Sequence, residues 1–119
     1  MALKTGFDID SYRRAYEGWD VEGLLAQYAD DVEQIQMDDA TPPRTPGTYH
    51  GRERLEQMFR HCKANDVKAS VENPVAGDDR AAATVTCEFP NGRKVVANVI
   101  LELRDGLIAR ELVVAARDA

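Results

Sequence analysis

Two tight-turn signals in the second half of the chain restrict the fold more than any other feature of the sequence. They are the pairs Asn91-Gly92 and Asp105-Gly106, and such pairs are typical of short β-hairpin turns. The turns separate three segments, 81–89, 93–103 and 107–115, that are rich in β-branched and other apolar residues. We therefore predict a meander of three consecutive antiparallel strands.

Helical periodicity dominates the first half. The first predicted helix is capped by Asp8 or Asp10 and carries apolar residues at spacings of three and four: Ile9, Tyr12, Tyr16 and Trp19. A second short helix begins after Asp20 and carries Val21, Leu24, Leu25 and Tyr28. A third begins near His50-Gly51, ends near Asn65-Asp66 and carries Leu55, Met58, Phe59 and Cys62.

Two further segments, DVEQIQM at 31–37 and the stretch 67–72, alternate like strands. The stretch 41–47 contains three prolines and a glycine, so we predict a loop there. The predicted order is helix, helix, strand, helix and then four strands, which indicates an α+β fold.

Length and charge narrow the class of protein. The 119 residues fit one domain, 1–119, and the net charge of −6 argues against a nucleic-acid-binding surface. No apolar run is long enough to span a membrane, and the first ten residues do not resemble a secretory signal, so we expect a cytoplasmic protein. Cys62 and Cys87 have apolar neighbours and are predicted to be reduced thiols, although the pattern leaves a disulfide between them open.

The sequence favours neither a metal nor another cofactor. Four acidic residues lie close together, but strand alternation divides them between two faces and no His or Cys spacing joins them: Asp30, Asp31, Asp38 and Asp39. His61 lies off the apolar stripe of its helix and is predicted to face solvent.

Four segments of the chain resemble one superfamily. They are YRRAYEGWDVEGLL at 12–25, YADDV at 28–32, YHGRE at 49–53 and DGLIAR at 105–110. They are similar to segments of the nuclear-transport-factor-2-like superfamily, which includes the SnoaL-like and ketosteroid-isomerase-like domains. The resemblance implies a cone, in which a curved, mostly antiparallel sheet wraps around the three helices of the N-terminal half and encloses a pocket.

The resemblance also predicts which side chains of the strand DVEQIQM point toward the pocket. Composition alone would bury Ile35 and Met37, whereas the resemblance places Gln34 and Gln36 toward the pocket. Ketosteroid isomerases use a Tyr and two Asp residues, and the matching residues here are Tyr12, Gln36 and Ile100. An amide is not a useful base and an isoleucine cannot donate a hydrogen bond, so steroid isomerisation is not expected.

Continuing the alternation from the alignment with the family places Glu111 in the expected pocket, and the resemblance adds Tyr12. These two are the expected catalytic residues. The other expected ligand-binding residues are Tyr16, Trp19, Tyr28, Gln34, Gln36, Phe59, Val85, Cys87, Asn98, Ile100 and Val113. Glu111 interrupts an apolar strand, so desolvation should raise its pKa toward the range of a general base. The alternative is that Glu111 pairs with Arg104 or Arg93, or faces solvent.

The opposite sheet face is also expected to be apolar. It would carry Val95, Ala97, Val99, Leu101 and Leu103 on one strand, and Leu112 and Val114 on the next. No chain remains to cover these residues, so we predict a homodimer that forms through the outer sheet face.

The expected function is therefore that of a SnoaL-like protein that binds a small molecule. It would be a cofactor-independent isomerase, cyclase or hydrolase, or else a non-catalytic ligand-binding or dimerisation domain. Whether the loop 41–49 closes the pocket is left open by the sequence.

Overall fold

A computed structural model describes residues 6–119, with three helices and six strands. The segment 1–5, part of the stretch without a secretory-signal pattern, lies outside these described residues. The helices are α1 (Ile9–Glu17), α2 (Val21–Leu25) and α3 (Glu53–Ala64). The strands are β1 (Tyr28–Met37), β2 (Gly47–His50), β3 (Lys68–Ala76), β4 (Arg80–Glu88), β5 (Lys94–Arg104) and β6 (Leu107–Arg117). The α+β prediction is confirmed.

The strands form one curved sheet in the order β2-β1-β6-β5-β4-β3. Among the described strands only the β1–β6 pair is parallel, so the sheet is mostly antiparallel, as the resemblance implied. The last three strands form the predicted meander. Asp105 and Gly106 both have positive φ, 54° and 77°, which the tight turn between β5 and β6 requires.

Two details near β1 differ from the prediction. Tyr28 begins β1 and pairs with Ile108, whereas the apolar spacing predicted it on the second helix. α2 ends after five residues, and the carbonyl of Gln27 already accepts a bond from the amide of Ile108 at 2.8 Å. The four-residue strand β2 was not predicted, because it is confined between the proline-rich loop and the left-handed Gly51.

The prediction of which β5 side chains point into the cone is wrong. Ile100 is 45% exposed on the outer face, opposite Leu112, while Leu101 is fully buried opposite Glu111. Apolar residues occupy both faces of β5, so the alternation pattern cannot predict which face is buried. The pairing register set by the β5–β6 hairpin determines the buried face instead. That hairpin contains a bulge at Ala109, where two steps along β6 oppose one step along β5. The strand's inward residues are those predicted to face outward: Val95, Ala97, Val99 and Leu101.

An aromatic cluster joins the helices to the concave face of the sheet. Phe59 of α3 is fully buried, with ring centroids 5.7 Å from Tyr16, 6.4 Å from Trp19 and 6.2 Å from Tyr28. The indole of Trp19 also donates a hydrogen bond to the carbonyl of Val67 at 2.6 Å. These contacts fix the helices against the sheet and leave an unfilled space beside them.

We predict that Asp20→Ala lowers the free energy of unfolding by about 1 kcal/mol. The Asp20 side chain caps α2 by accepting a hydrogen bond from the amide of Gly23 at 3.0 Å. Urea unfolding would measure the loss. Asp78→Ala, which removes the same charge from the exposed turn between β3 and β4, is the control, and an equal loss in both variants would contradict the capping role.

Candidate functional site

The space between the concave face and the helices is a cavity of about 240 Å³. It is smaller than the roughly 300–1,000 Å³ typical of pockets for drug-sized ligands. Its walls are mostly apolar, with side chains from α1, α3, β1, β4, β5 and β6. Along β6 the lining runs from buried Glu111, through Val113 and Ala115, to exposed Arg117, which places Glu111 at the deep end.

The deep end is built by sheet register. Gln34 of β1 lies beside Glu111 of β6 in the parallel pair, and on its other side it faces Tyr49 of β2. Side chains at directly paired positions lie on the same face of a sheet. Gln34 and Glu111 are therefore neighbours inside the cone, where they are 3% and 4% exposed.

Glu111 accepts two hydrogen bonds. The amide Nε2 of Gln34 donates to Oε1 at 2.8 Å, and the hydroxyl of Tyr28 donates to Oε2 at 3.3 Å. Burial raises the pKa of Glu111 to about 7, although the bonds from Gln34 and Tyr28 and the charge of Arg54 partly oppose this rise. A carboxyl group with this pKa can both take and give a proton near neutral pH.

The alternative environments for Glu111 do not occur. Arg104 pairs with Asp31 at 2.5 Å, and Arg93 donates to the backbone carbonyl of Asp118 at 3.1 Å. The positive charge nearest to the site comes instead from Arg54, which contacts Gln34 rather than Glu111 itself.

Tyr12 lies deeper than the cavity wall. It is fully buried and does not line the cavity, and among residues 6–119 its hydroxyl is the buried side-chain polar atom without a hydrogen-bond partner. Burial, together with the nearby charge of Glu111, raises its pKa well above the usual value, and the same causes act on Tyr28. Both phenols therefore stay protonated and can act as hydrogen-bond donors.

A second polar cluster lies toward the rim of the cavity. Gln36 Nε2 donates to Asp38 at 2.9 Å, and Arg117 pairs with the same carboxylate at 2.7 Å. Two backbone amides and the Thr41 hydroxyl also donate to Asp38. These bonds, that from Gln36 foremost, hold the pKa of Asp38 well below its usual range, so this carboxylate stays charged and fixes Gln36 at the rim.

The structure divides the predicted site residues into three groups. Eight line the cavity: Tyr16, Tyr28, Gln34, Gln36, Val85, Cys87, Glu111 and Val113. Three lie in the core and do not line it: Tyr12, Trp19 and Phe59. Asn98 and Ile100 are on the outer face, where Asn98 accepts a hydrogen bond from Thr84 at 2.7 Å, so their predicted pocket positions are wrong.

Sequence reasoning missed one flank of α3. Met58 and His61 line the cavity, and Arg54 reaches its polar end, at spacings of four and seven residues along the helix. His61 is exposed, as predicted, yet it borders the cavity. This spacing beside the apolar stripe was the available signal.

Both cysteines are free thiols that line the cavity. Burial raises the pKa of Cys62, and it raises that of Cys87 to about 11, so neither is a thiolate near neutral pH. Within the described part of the chain, no group of three or more His, Cys, Asp and Glu residues is arranged to hold a metal. None of the described helices combines the length and the apolar character needed to cross a membrane.

Comparison with known sequences identifies one family. A model of the SnoaL-like domain matches residues 9–111. No curated protein matches the chain.

Solved structures show the same fold. A protein proposed to be a ketosteroid isomerase, from Kribbella flavida, is 23% identical, with 93% of this chain and 75% of that one covered and a TM-score of 0.69. The epoxide hydrolase/cyclase-like enzyme SalBIII, linked to pyran ring formation in the polyether salinomycin, is 19% identical, with 90% and 86% covered and a TM-score of 0.66. A protein proposed to be a polyketide cyclase, from Pseudomonas putida, is 20% identical, with 88% and 86% covered and a TM-score of 0.66. At these identities the likeness shows the fold alone.

Proposed function

The chain belongs to the SnoaL-like domain family, and on that premise we propose that it binds a small, mostly apolar molecule in the cone and acts on it without a cofactor. The reaction is an isomerisation, a ring closure or a hydrolysis that needs acid–base chemistry. Glu111 gives or takes the proton, and Gln34 and Tyr28 hold its carboxyl group.

One observation carries this proposal. Glu111 is a buried carboxyl group at the deep end of an apolar cavity, and its pKa of about 7 suits proton transfer. Its two hydrogen-bond partners, Gln34 and Tyr28, carry no charge. Keeping a carboxyl group in such a place is unfavourable for folding, and perturbed acids of this kind are concentrated at functional sites.

The matched structures include a proposed ketosteroid isomerase as well as cyclase-like and hydrolase-like proteins, and the residue at position 36 favours a cyclase or hydrolase here. SalBIII is an epoxide hydrolase/cyclase-like enzyme, and the Pseudomonas protein is a proposed polyketide cyclase. The resemblance placed Gln36 at the position of the isomerase base, and here Gln36 donates to Asp38. An amide in that arrangement cannot remove a proton from carbon.

The test of the proposal is turnover of two small probes that differ in chemistry. Hydrolysis of cyclohexene oxide reports on epoxide opening, and deuterium exchange beside the carbonyl of cyclohexanone reports on proton abstraction. We expect at least one reaction to run faster with the protein than in buffer, with a rate that depends on pH near 7. The absence of both reactions, with a probe bound in the cavity, would overturn the catalytic proposal.

That outcome would favour the second candidate function, a non-catalytic ligand-binding domain. The specific observation in its favour is that Tyr12 does not line the cavity, so the phenol that the resemblance matched to an oxyanion donor cannot touch a ligand there. The free thiols of Cys62 and Cys87 fit a reducing compartment, and we propose the cytoplasm as the location for either function.

We also propose that the protein is a homodimer that forms through its outer sheet face. With the observed orientation of β5, the large apolar residues of that face include Ile35, Met37, Val75, Val96, Ile100, Leu112 and Val114. Four of them are 41–62% exposed: Val75, Val96, Ile100 and Val114. Large apolar side chains side by side on a sheet normally mark an interface, and a two-fold contact buries the same patch on both copies.

We predict that Ile100→Glu converts the dimer to a monomer at micromolar concentration, because each copy would then bury an unpaired carboxylate in an apolar interface. Analytical ultracentrifugation would measure the change. Gln57→Glu is the matched control, since it adds one negative charge at an exposed position of α3, on the concave side of the sheet, and that variant should remain dimeric. A monomeric wild-type protein would refute the interface.

A further inference from the structure

Arg54 of α3 is held by two contacts at the edge of the site. Its guanidinium carbon lies 3.7 Å above the centre of the Tyr49 ring, and its Nη1 donates to Gln34 Oε1 at 2.8 Å. Tyr49 is also the cross-strand partner of Gln34, so the ring that stacks on Arg54 and the amide that accepts from it lie side by side on the same face of the sheet. The contacts orient Arg54 toward Gln34.

A guanidinium group only donates hydrogen bonds, which determines how the Gln34 amide must lie. The carbonyl oxygen has to face Arg54, and the amide nitrogen then faces Glu111 Oε1, 2.8 Å away. Because that nitrogen is a donor, Oε1 must accept and has no place for a proton on the same side. The remaining position is Oε2, beside the Tyr28 hydroxyl.

We propose that Arg54 is a positioning residue, which acts through Gln34 to fix Oε2 as the carboxyl oxygen of Glu111 that gains and loses the proton. This inference rests on the proposed acid–base role of Glu111. It makes Oε2 the reactive oxygen and Oε1 an anchored acceptor. The Tyr28 hydroxyl can accept from protonated Oε2 or donate to it when ionised, because a hydroxyl does both.

Several groups face Glu111 and bear on its titration. Tyr12 and Tyr16 approach from α1 and Tyr28 from β1, and all three have pKa values raised well above the usual value, chiefly by burial, so they remain neutral. Arg54 of α3 is the cation whose charge acts on Glu111. The other ionisable groups of the cavity are His61, Cys62, Cys87 and Arg117.

The test follows the titration of Glu111 in the ligand-free protein. Carbon-13 NMR of glutamate carboxyl groups reports the midpoint, and the signal is identified by its loss in Glu111→Gln. We expect Arg54→Met to raise the midpoint by about one pH unit, because both the cation and the orientation of the amide are lost. Arg54→Lys keeps the charge without the planar donor fork and should give a smaller rise.

Arg52→Met is the matched control. It removes the same charge two residues away, from a side chain that pairs with Asp30 at 2.6 Å, and should leave the midpoint unchanged. An unchanged midpoint in Arg54→Met, or an equal shift in Arg52→Met, would overturn the inference. If Arg54→Met does not fold, the midpoint of Arg54→Lys is the test. A rise supports the inference, and an unchanged midpoint overturns it. The proposed function is tested by a separate measurement, and turnover that is unchanged in Glu111→Gln would contradict it.

Discussion

Replacing Glu111 by glutamine is expected to lower turnover by about 100- to 10,000-fold, the usual contribution of a general acid or base. Glutamine keeps the shape and the polarity of the side chain, but its amide cannot exchange a proton near neutral pH. The measurement is the initial rate at pH 7 with whichever probe the wild-type protein converts, cyclohexene oxide or cyclohexanone.

Glu102→Gln is the control for this loss. Glu102 lies on the neighbouring strand β5, where it pairs with Arg110 at 2.5 Å, and its side chain is 42% exposed. The same chemical change there should leave the rate unchanged. Equal rates in wild type and Glu111→Gln would contradict the assignment, and loss of folding cannot imitate the effect, because a neutral amide suits the buried position at least as well as a carboxylate does.

Much of the fold could be predicted because local signals were consistent with it. The Asp105-Gly106 pair lies at a turn that needs two positive φ angles, and Asp8 and Asp20 cap the helices that follow them. The facing of β5 could not be predicted in this way. Apolar residues occupy both sides of that strand, and the bulge at Ala109 changes which residues of β6 share a face.

The deep end of the site was partly predictable as well. Alternation, once fixed by the family resemblance, placed Gln34 and Glu111 on one face, and the parallel register makes them neighbours. Arg54 was not predicted, because a charged residue beside an apolar stripe normally faces solvent. Its contacts with Tyr49 and Gln34 depend on the short strand β2, which no local pattern predicts.

The protein is expected to lose stability as the pH rises from about 4.5 to 7, because of Glu111. Its pKa is near 4.5 when unfolded and about 7 when folded, so in this range the folded state binds more protons. Stability then falls with rising pH, in contrast to the usual behaviour of a carboxyl group. The full effect, present above pH 7, is about 3 kcal/mol, from 1.36 kcal/mol for each unit of pKa difference.

Urea unfolding at several pH values would measure this loss, and Glu111→Gln isolates it from other groups. We expect the two proteins to be about equally stable near pH 4.5 and the variant to be more stable above pH 7. Asp38 has a lowered pKa in the folded protein and therefore stabilises the fold above pH 3.8, its pKa in the unfolded chain. Because Asp38 is present in both proteins, its contribution cancels in the difference. A difference that does not change with pH would mean that Glu111 titrates in the folded protein as it does in the unfolded chain, and the buried acid would then have no special proton affinity to use in catalysis.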